Sequence, residues 1–324
     1  MSFALVSVAM KASNAKYLIV PLAAFLFLAP FPAQASAEMK ATFLYSLSNF
    51  SGTVPYSWVR QSIDPGRGEI YVVTGASVAV YNSSGMEVYR FGDDLDIGGF
   101  MDVSVESNGD ILILSRVGDR FRVTRCNYRG EPRSEIKIRN LPDEFAGISP
   151  GRLFSRNGKL YLADLFAKMV VVTDATGIFR EGIDIAPLLA SSEEKPGAEY
   201  DIASITVDRE GNLFFTVPTL FKVFKLSPAR QLSSFGSAGN LPGKFNIVSG
   251  IATDDRGYIF VTDSLRSAVS VFDKEFKFQA QFSRRGTGPG DLISPSELMV
   301  DKAGRVYVSQ ARKRGISVFG VAFE

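Results

Sequence analysis

The 324-residue chain contains no histidine, so a His-bound zinc centre, a Ser–His–Asp triad and a Cys–His nucleophile are excluded as normally built, since each needs an imidazole. Carboxylates remain as groups that could do chemistry. Asp164 and Asp263 each stand six residues after a glycine of a recurring motif. Acids converging from such equivalent positions could ligate Ca2+ and so activate water, which needs no imidazole. The matching positions in the other copies hold Thr74, Ser115, Val217 and Gln310, whereas a cation site would need three or more oxygen ligands to converge. The plainer role for both aspartates is to cap a tight turn through side-chain-to-backbone hydrogen bonds. Glu106, Asp208, Asp254 and Asp301, each three residues before a glycine, recur too regularly for one site and read as turn formers.

Cations form the second constellation. Arg116, Arg120, Lys168, Lys222, Arg266, Arg312, Lys313 and Arg314 fall at corresponding places after the same motif, with Phe166 and Phe221 among them. The first copy offers only Gly75, Ala76 and Ser77 there. If those places share one edge of the fold, they make a basic crescent with aromatic surfaces inside it, able to hold an anion. The alternative is solvated loop charge balanced by acids such as Asp119 and Asp263. Arg122, Arg125, Arg129, Arg133 and Lys137 alternate with strand residues and suit an outward sheet edge, which charge protects from aggregation.

What positions these residues is a sixfold repeat: GEIYV at 68–72, GDILI at 109–113, GKLYL at 158–162, GNLFF at 211–215, GYIFV at 257–261 and GRVYV at 304–308. The glycines are 41, 49, 53, 46 and 47 residues apart, a period typical of repeat architectures. β-Branched and aromatic triplets after a turn glycine make the unit a strand. The fifth copy reads as four strands, near 250–253, 258–262, 269–272 and 276–282. The sixth shows three, at 298–300, 306–308 and 316–319, and segment 41–48 has the apolar alternation to supply its missing fourth. A ring closed that way buries every sheet face, so the expectation is an all-β, six-bladed β-propeller of four-stranded antiparallel blades, closed by the N-terminal strand joining the last blade.

The connecting loops FGSAGNLPGKF at 235–245 and FSRRGTGPGDL at 282–292, the turn ATDDRG at 252–257, VTD at 261–263 and VFD at 271–273 resemble the NHL-repeat family. The resemblance is strongest in the last two copies. It implies a propeller that binds something on one rim, enzymes of this kind being a minority with recognisable metal sites. WD40 propellers are disfavoured, because they need Gly-His and Trp-Asp signatures and the chain has one Trp and no His.

Residues 1–37 read as a secretory signal, with Lys11 and Lys16, an apolar run over 17–31 and a small-residue ASA site at 35–37; Met10 is an alternative start to Met1. The single propeller domain then spans 38–324. Two of the 36 Lys and Arg and none of the 34 acids precede residue 38, so that domain carries 34 of each and no net charge. Nucleic acid is thereby disfavoured as a partner. Cys126 is the one cysteine, so no intramolecular disulfide forms. The function expected is an exported ligand- or protein-binding scaffold, periplasmic or extracellular, without a membrane span after processing, acting as a monomer or within a surface assembly. Its rim would take a protein, an anionic polymer or a small anion through Arg116, Arg120, Phe166, Lys168, Phe221, Arg266, Arg312, Lys313 and Arg314. No cofactor is called for; the alternative is a carboxylate- or metal-dependent hydrolase of the lactonase kind, with Ca2+ held in the central channel by residues such as Asp164 and Asp263.

Overall fold

The computed structural model describes residues 39–323 apart from 57, 58, 76, 193–199 and 313. The candidate signal segment and Lys313 therefore lie outside the described residues. The chain from 39 onward is a six-bladed propeller of four-stranded antiparallel blades. Strands A to D run outward from the axis. Blade 1 comprises Arg60–Ile63, Ile70–Thr74, Ser77–Tyr81 and Glu87–Phe91, and blade 2 Gly99–Val105, Ile111–Val117, Arg120–Cys126 and Pro132–Glu135. Blade 3 is Arg152–Arg156, Lys159–Asp164, Met169–Asp174 and Phe179–Asp184, and blade 4 Ser204–Val207, Leu213–Val217, Lys222–Leu226 and Leu232–Phe235. Blade 5 is Val248–Thr253, Ile259–Asp263, Ala268–Phe272 and Phe278–Phe282. Blade 6 takes Pro295–Val300, Arg305–Gln310 and Ile316–Phe323 from the end of the chain, and its outer strand Met39–Ser46 from the beginning.

The repeating glycine is explained by its backbone. Gly68, Gly109, Gly158, Gly211, Gly257 and Gly304 all have φ between +67° and +90°, the left-handed conformation that closes the turn between strands A and B and that a side chain disfavours. The strand that follows is apolar on both faces because each blade is covered by a neighbour on either side. Ile111 and Ile113 enter the cluster shared with blade 1, and Leu112 and Leu114 the cluster shared with blade 3. The same alternation places Val306 and Val308 against blade 5 and Tyr307 against blade 1. Six such clusters, one per interface, make up the core.

Ring closure pairs Met39 with Phe323 through to Ser46 with Ser317, the register shifting between Phe43 and Tyr45. The strand begins and ends two residues earlier than the 41–48 expected, because strand C of blade 6 extends past Phe319 to Phe323. Innermost strands also meet directly. A Cβ at Gly250 would collide with the carbonyl of Ser296, so blades 5 and 6 approach as closely as they do only with glycine there. One feature had no signal in the repeat pattern, a short helix Ala186–Ser192 between blades 3 and 4. No helix among the described residues is long and apolar enough to cross a membrane.

Candidate functional site

Antiparallel order puts every B–C turn and every D–A connection on one rim, and every A–B and C–D turn on the other. Asp164 and Asp263 sit at the first rim as turn clasps. Asp164 accepts from the backbone N–H groups of Phe166 (3.0 Å), Ala167 (2.9 Å) and, on the incoming connection, Ser149 (2.9 Å). Asp263 accepts from Asn246 (2.6 Å), Ile247 (3.2 Å) and Arg266 (2.9 Å). In blade 6 the equivalent Gln310 accepts from the Ile293 N–H (2.9 Å) and donates to Ser317 (2.7 Å). In blades 3, 5 and 6 the position thus ties the B–C turn to the loop entering the same blade. Asp208, Asp254 and Asp301 cap A–B turns by accepting from the N–H groups two and four residues on. Glu106 is too long for that cap; its carboxylate instead reaches Ser155 (3.0 Å) and Arg125, bracing blade 2 against blade 3.

The rim cations divide into two kinds. Arg116 donates to Ser149 Oγ, Arg266 to the Gly239 carbonyl (2.6 Å) and Gln281 (2.9 Å), and Arg314 to the Thr287 carbonyl (3.3 Å), so each pins a D–A connection or a neighbouring strand. Lys168, in left-handed conformation, reaches the Phe166 carbonyl at 3.4 Å, while Arg120 and Arg312 project into solvent. Phe166 is 93% exposed, whereas Phe221 is half-buried against the cluster between blades 4 and 5. Of the second basic stretch, Arg122 pairs with Glu135 (3.4 Å) and Arg125 with Asp110 (3.2 Å), on the outer strands of blade 2.

The same rim carries charged and apolar groups on its D–A connections as well as on its B–C turns. Exposed Asp93, Asp94 and Asp96 lie on the connection into blade 2, the blade whose B–C turn carries Arg116 and Arg120. Arg284 and Arg285 emerge on the connection into blade 6, beside Arg312 and Arg314. Phe50, Val117, Leu241, Ile247 and Leu265 join Phe166 as exposed large apolar side chains on B–C turns or D–A connections. The rim is therefore mixed rather than a uniform crescent: exposed acids lie on the connections into blade 2 (Asp93, Asp94, Asp96) and blade 3 (Asp143, Glu144), exposed apolar side chains at blades 3 and 5, and exposed Arg284, Arg285 and Arg312 at blade 6.

The channel mouth just inside this rim is filled by an ion cluster drawn from four A strands. Arg152 of blade 3 donates to Asp102 of blade 2 (3.0 Å) and, across the axis, to both oxygens of Glu297 of blade 6 (3.1 and 3.0 Å). Arg60 of blade 1 also pairs with Glu297, and Ser204 of blade 4 approaches it at 3.4 Å. Asp102, Arg152, Ser204 and Glu297 are all less than 9% exposed. Burial pushes the Asp102 carboxyl above the usual range, against the pull of Arg152 and Arg60. Burial acts on Glu297 too, but the two guanidiniums outweigh it and hold that carboxyl below the usual range. Two cations and two anions cancel, and each carboxylate here already faces arginine. Among the described residues no three acidic or cysteine groups stand close enough to share a metal ion.

Comparison with known proteins agrees with this architecture. A family model described as DUF5128, 6-bladed beta-propeller, matches residues 244–322. No curated protein sequence matches the chain. Among solved structures, a protein of unknown function from Bacteroides thetaiotaomicron is similar with a TM-score of 0.61 at 13% identity, over 88% of this chain and 76% of the other. An auxiliary nutrient binding protein from the same organism is similar at 0.58 and 12%, over 88% and 77%. A streptogramin B lyase is similar at 0.52 and 14%, over 88% and 98%. At these identities the likeness is one of fold.

Proposed function

We propose that this chain is an exported binding scaffold of NHL-like build, whose recognition surface is the rim of B–C turns and D–A connections. One observation carries the reading. The carboxylates at the channel mouth are consumed by Arg60 and Arg152, while the rim around them leaves large apolar and cationic side chains in solvent. A hydrolytic site in the channel would need a carboxylate or bound cation free to activate water. A binding surface needs apolar anchors with charge around them, which the rim supplies.

The test is site-specific photo-crosslinking in cells that produce the protein. A photoreactive amino acid at position 166 or 265 on the rim is compared with one at position 128 on the opposite face, where Tyr128 is also exposed. Discrete adducts from 166 and 265 but not from 128 support the reading. Adducts from 128 alone, or none from the rim, contradict it.

A further inference from the structure

We infer that the rim over blades 5 and 6 is a docking site for an acidic polypeptide segment carrying apolar side chains, an inference that rests on the rim reading above. Four segments contribute to it: 236–247, 264–267, 283–294, and residues 311, 312, 314 and 315. Hydrogen bonds join them in series. Ser264 N–H donates to the Ile247 carbonyl (2.9 Å), Ser294 N–H to Ser267 Oγ (3.3 Å), Ala311 N–H to the Ile293 carbonyl (3.1 Å) and Arg314 to the Thr287 carbonyl (3.3 Å). The surface is therefore contiguous and fixed from within. Among the described residues of these segments there are six cations (Lys244, Arg266, Arg284, Arg285, Arg312 and Arg314) against one acid, Asp291, with Asp263, just outside them, 3.9 Å from Arg266.

Asp291 pairs with Arg284 at 3.4 Å and so is already engaged, while Arg285 and Arg312 point into solvent. Like charges held together on fixed loops repel one another and focus potential outward, a cost relieved by a bound anion. Beside them, Leu241 is 65% and Leu265 55% exposed, with Ile247 next to Leu265. These apolar groups are aliphatic, whereas bases stack on aromatic faces. Aliphatic anchors next to guanidinium forks match a polypeptide, with carboxylates on the arginines and apolar side chains on the leucines. The connection into blade 2 carries the opposite charge, Asp93, Asp94 and Asp96, and so disfavours the same segment there.

A selection on the whole chain tests this, using a displayed library of random twelve-residue peptides at low salt, followed by fluorescence anisotropy of the enriched peptides. The expected pool is rich in Asp and Glu interleaved with Leu, Ile or Phe. Binding should weaken about tenfold in Arg285→Ser/Arg312→Ser and again with added salt, as the screening length falls from about 10 Å at 0.1 M to about 3 Å at 1 M. Leu265→Ser should weaken the apolar-containing peptides and leave all-acidic ones unchanged. An unenriched pool, an acid-poor pool, or affinities indifferent to both variants overturns the inference. So does a sulphated polysaccharide that outcompetes the peptides with no contribution from Leu265. Rim crosslinks at 166 or 265 together with any of these outcomes would leave the rim reading standing and this inference refuted.

Discussion

The channel mouth and the rim lie on the same end of the ring, and both are rich in charge, yet they use it in opposite ways. At the mouth, Arg60, Asp102, Arg152 and Glu297 face one another largely out of water, and each is ion-paired within the fold. On the rim of blades 5 and 6, Arg285 and Arg312 stand on hydrogen-bonded neighbouring segments and are left in solvent. A buried set of balanced charges secures geometry, because removing one partner strands the others in a low-dielectric site. An exposed set of one sign contributes little to the fold and is available to a partner. Charged residues near a propeller axis are thus no guide to function until their partners are counted.

The coarsest way to break the contrast is to open the ring. A chain begun at residue 56 lacks the outer strand of blade 6, so strand C of that blade loses its partner from Ile316 to Phe323 and the clusters on either side lose Met39, Phe43, Tyr45 and Leu47. The mouth cluster, which spans blades 1, 2, 3 and 6, should be lost with it. Size-exclusion chromatography and near-UV circular dichroism should show an aggregated or unfolded chain; a monomer melting at the parent temperature would show that closure does not hold the mouth together.

Next in size is Glu297→Ala, which leaves two buried guanidiniums with one carboxylate between them. Denaturant unfolding should show a loss of about 3–5 kcal/mol. The acid limb of stability sharpens the same point. The folded pKa of Glu297 is depressed, so its contribution is present above its ordinary value of 4.5 and is lost as pH falls through the lower folded value. That of Asp102 is raised, so its protonation on acidification has the opposite sign. Glu297→Gln should therefore flatten the pH dependence of stability below about pH 4.5, and Asp102→Asn should leave that limb in place. Equal effects of the two variants in pH-dependent melting would contradict the assignment.

The smallest effect is expected on the rim. Arg312→Ser/Arg314→Ser and Phe166→Ser should each change stability by no more than about 0.5 kcal/mol by denaturant unfolding, because the side chains are exposed or make one peripheral hydrogen bond. A loss comparable to that of Glu297→Ala would make the rim part of the fold's framework.

Much of the fold was legible because its causes are local. A left-handed turn demands glycine, a blade buried on both faces demands apolar residues without a break, and both recur six times. The missing outer strand could be inferred because a ring must close. The mouth cluster was not read, since its members lie on separate A strands, Arg60 and Glu297 being 237 residues apart. A signal did exist. Asp102, Ser204 and Glu297 each stand seven residues before a repeat glycine, with Arg152 six and Arg60 eight before theirs, so polar side chains recur near the start of the innermost strands. Asp164 and Asp263 were legible as turn caps because an aspartate accepts from nearby backbone whatever the tertiary context. The charges at Asp93, Asp94, Asp96, Arg284 and Arg285 were missed for a different reason: they lie on D–A connections, whose lengths vary and which carry no repeating register.

The most direct test sets the two regions against each other in one assay. With the photoreactive residue at position 265, partner capture is measured in Glu297→Gln and in Arg285→Ser/Arg312→Ser, each scaled to its folded fraction by circular dichroism. The channel-mouth variant should lose stability and keep capture per folded molecule, while the rim variant should keep stability and lose capture. Capture abolished by Glu297→Gln in a folded protein, with the rim variant still competent, would place the site in the channel mouth and contradict the rim reading.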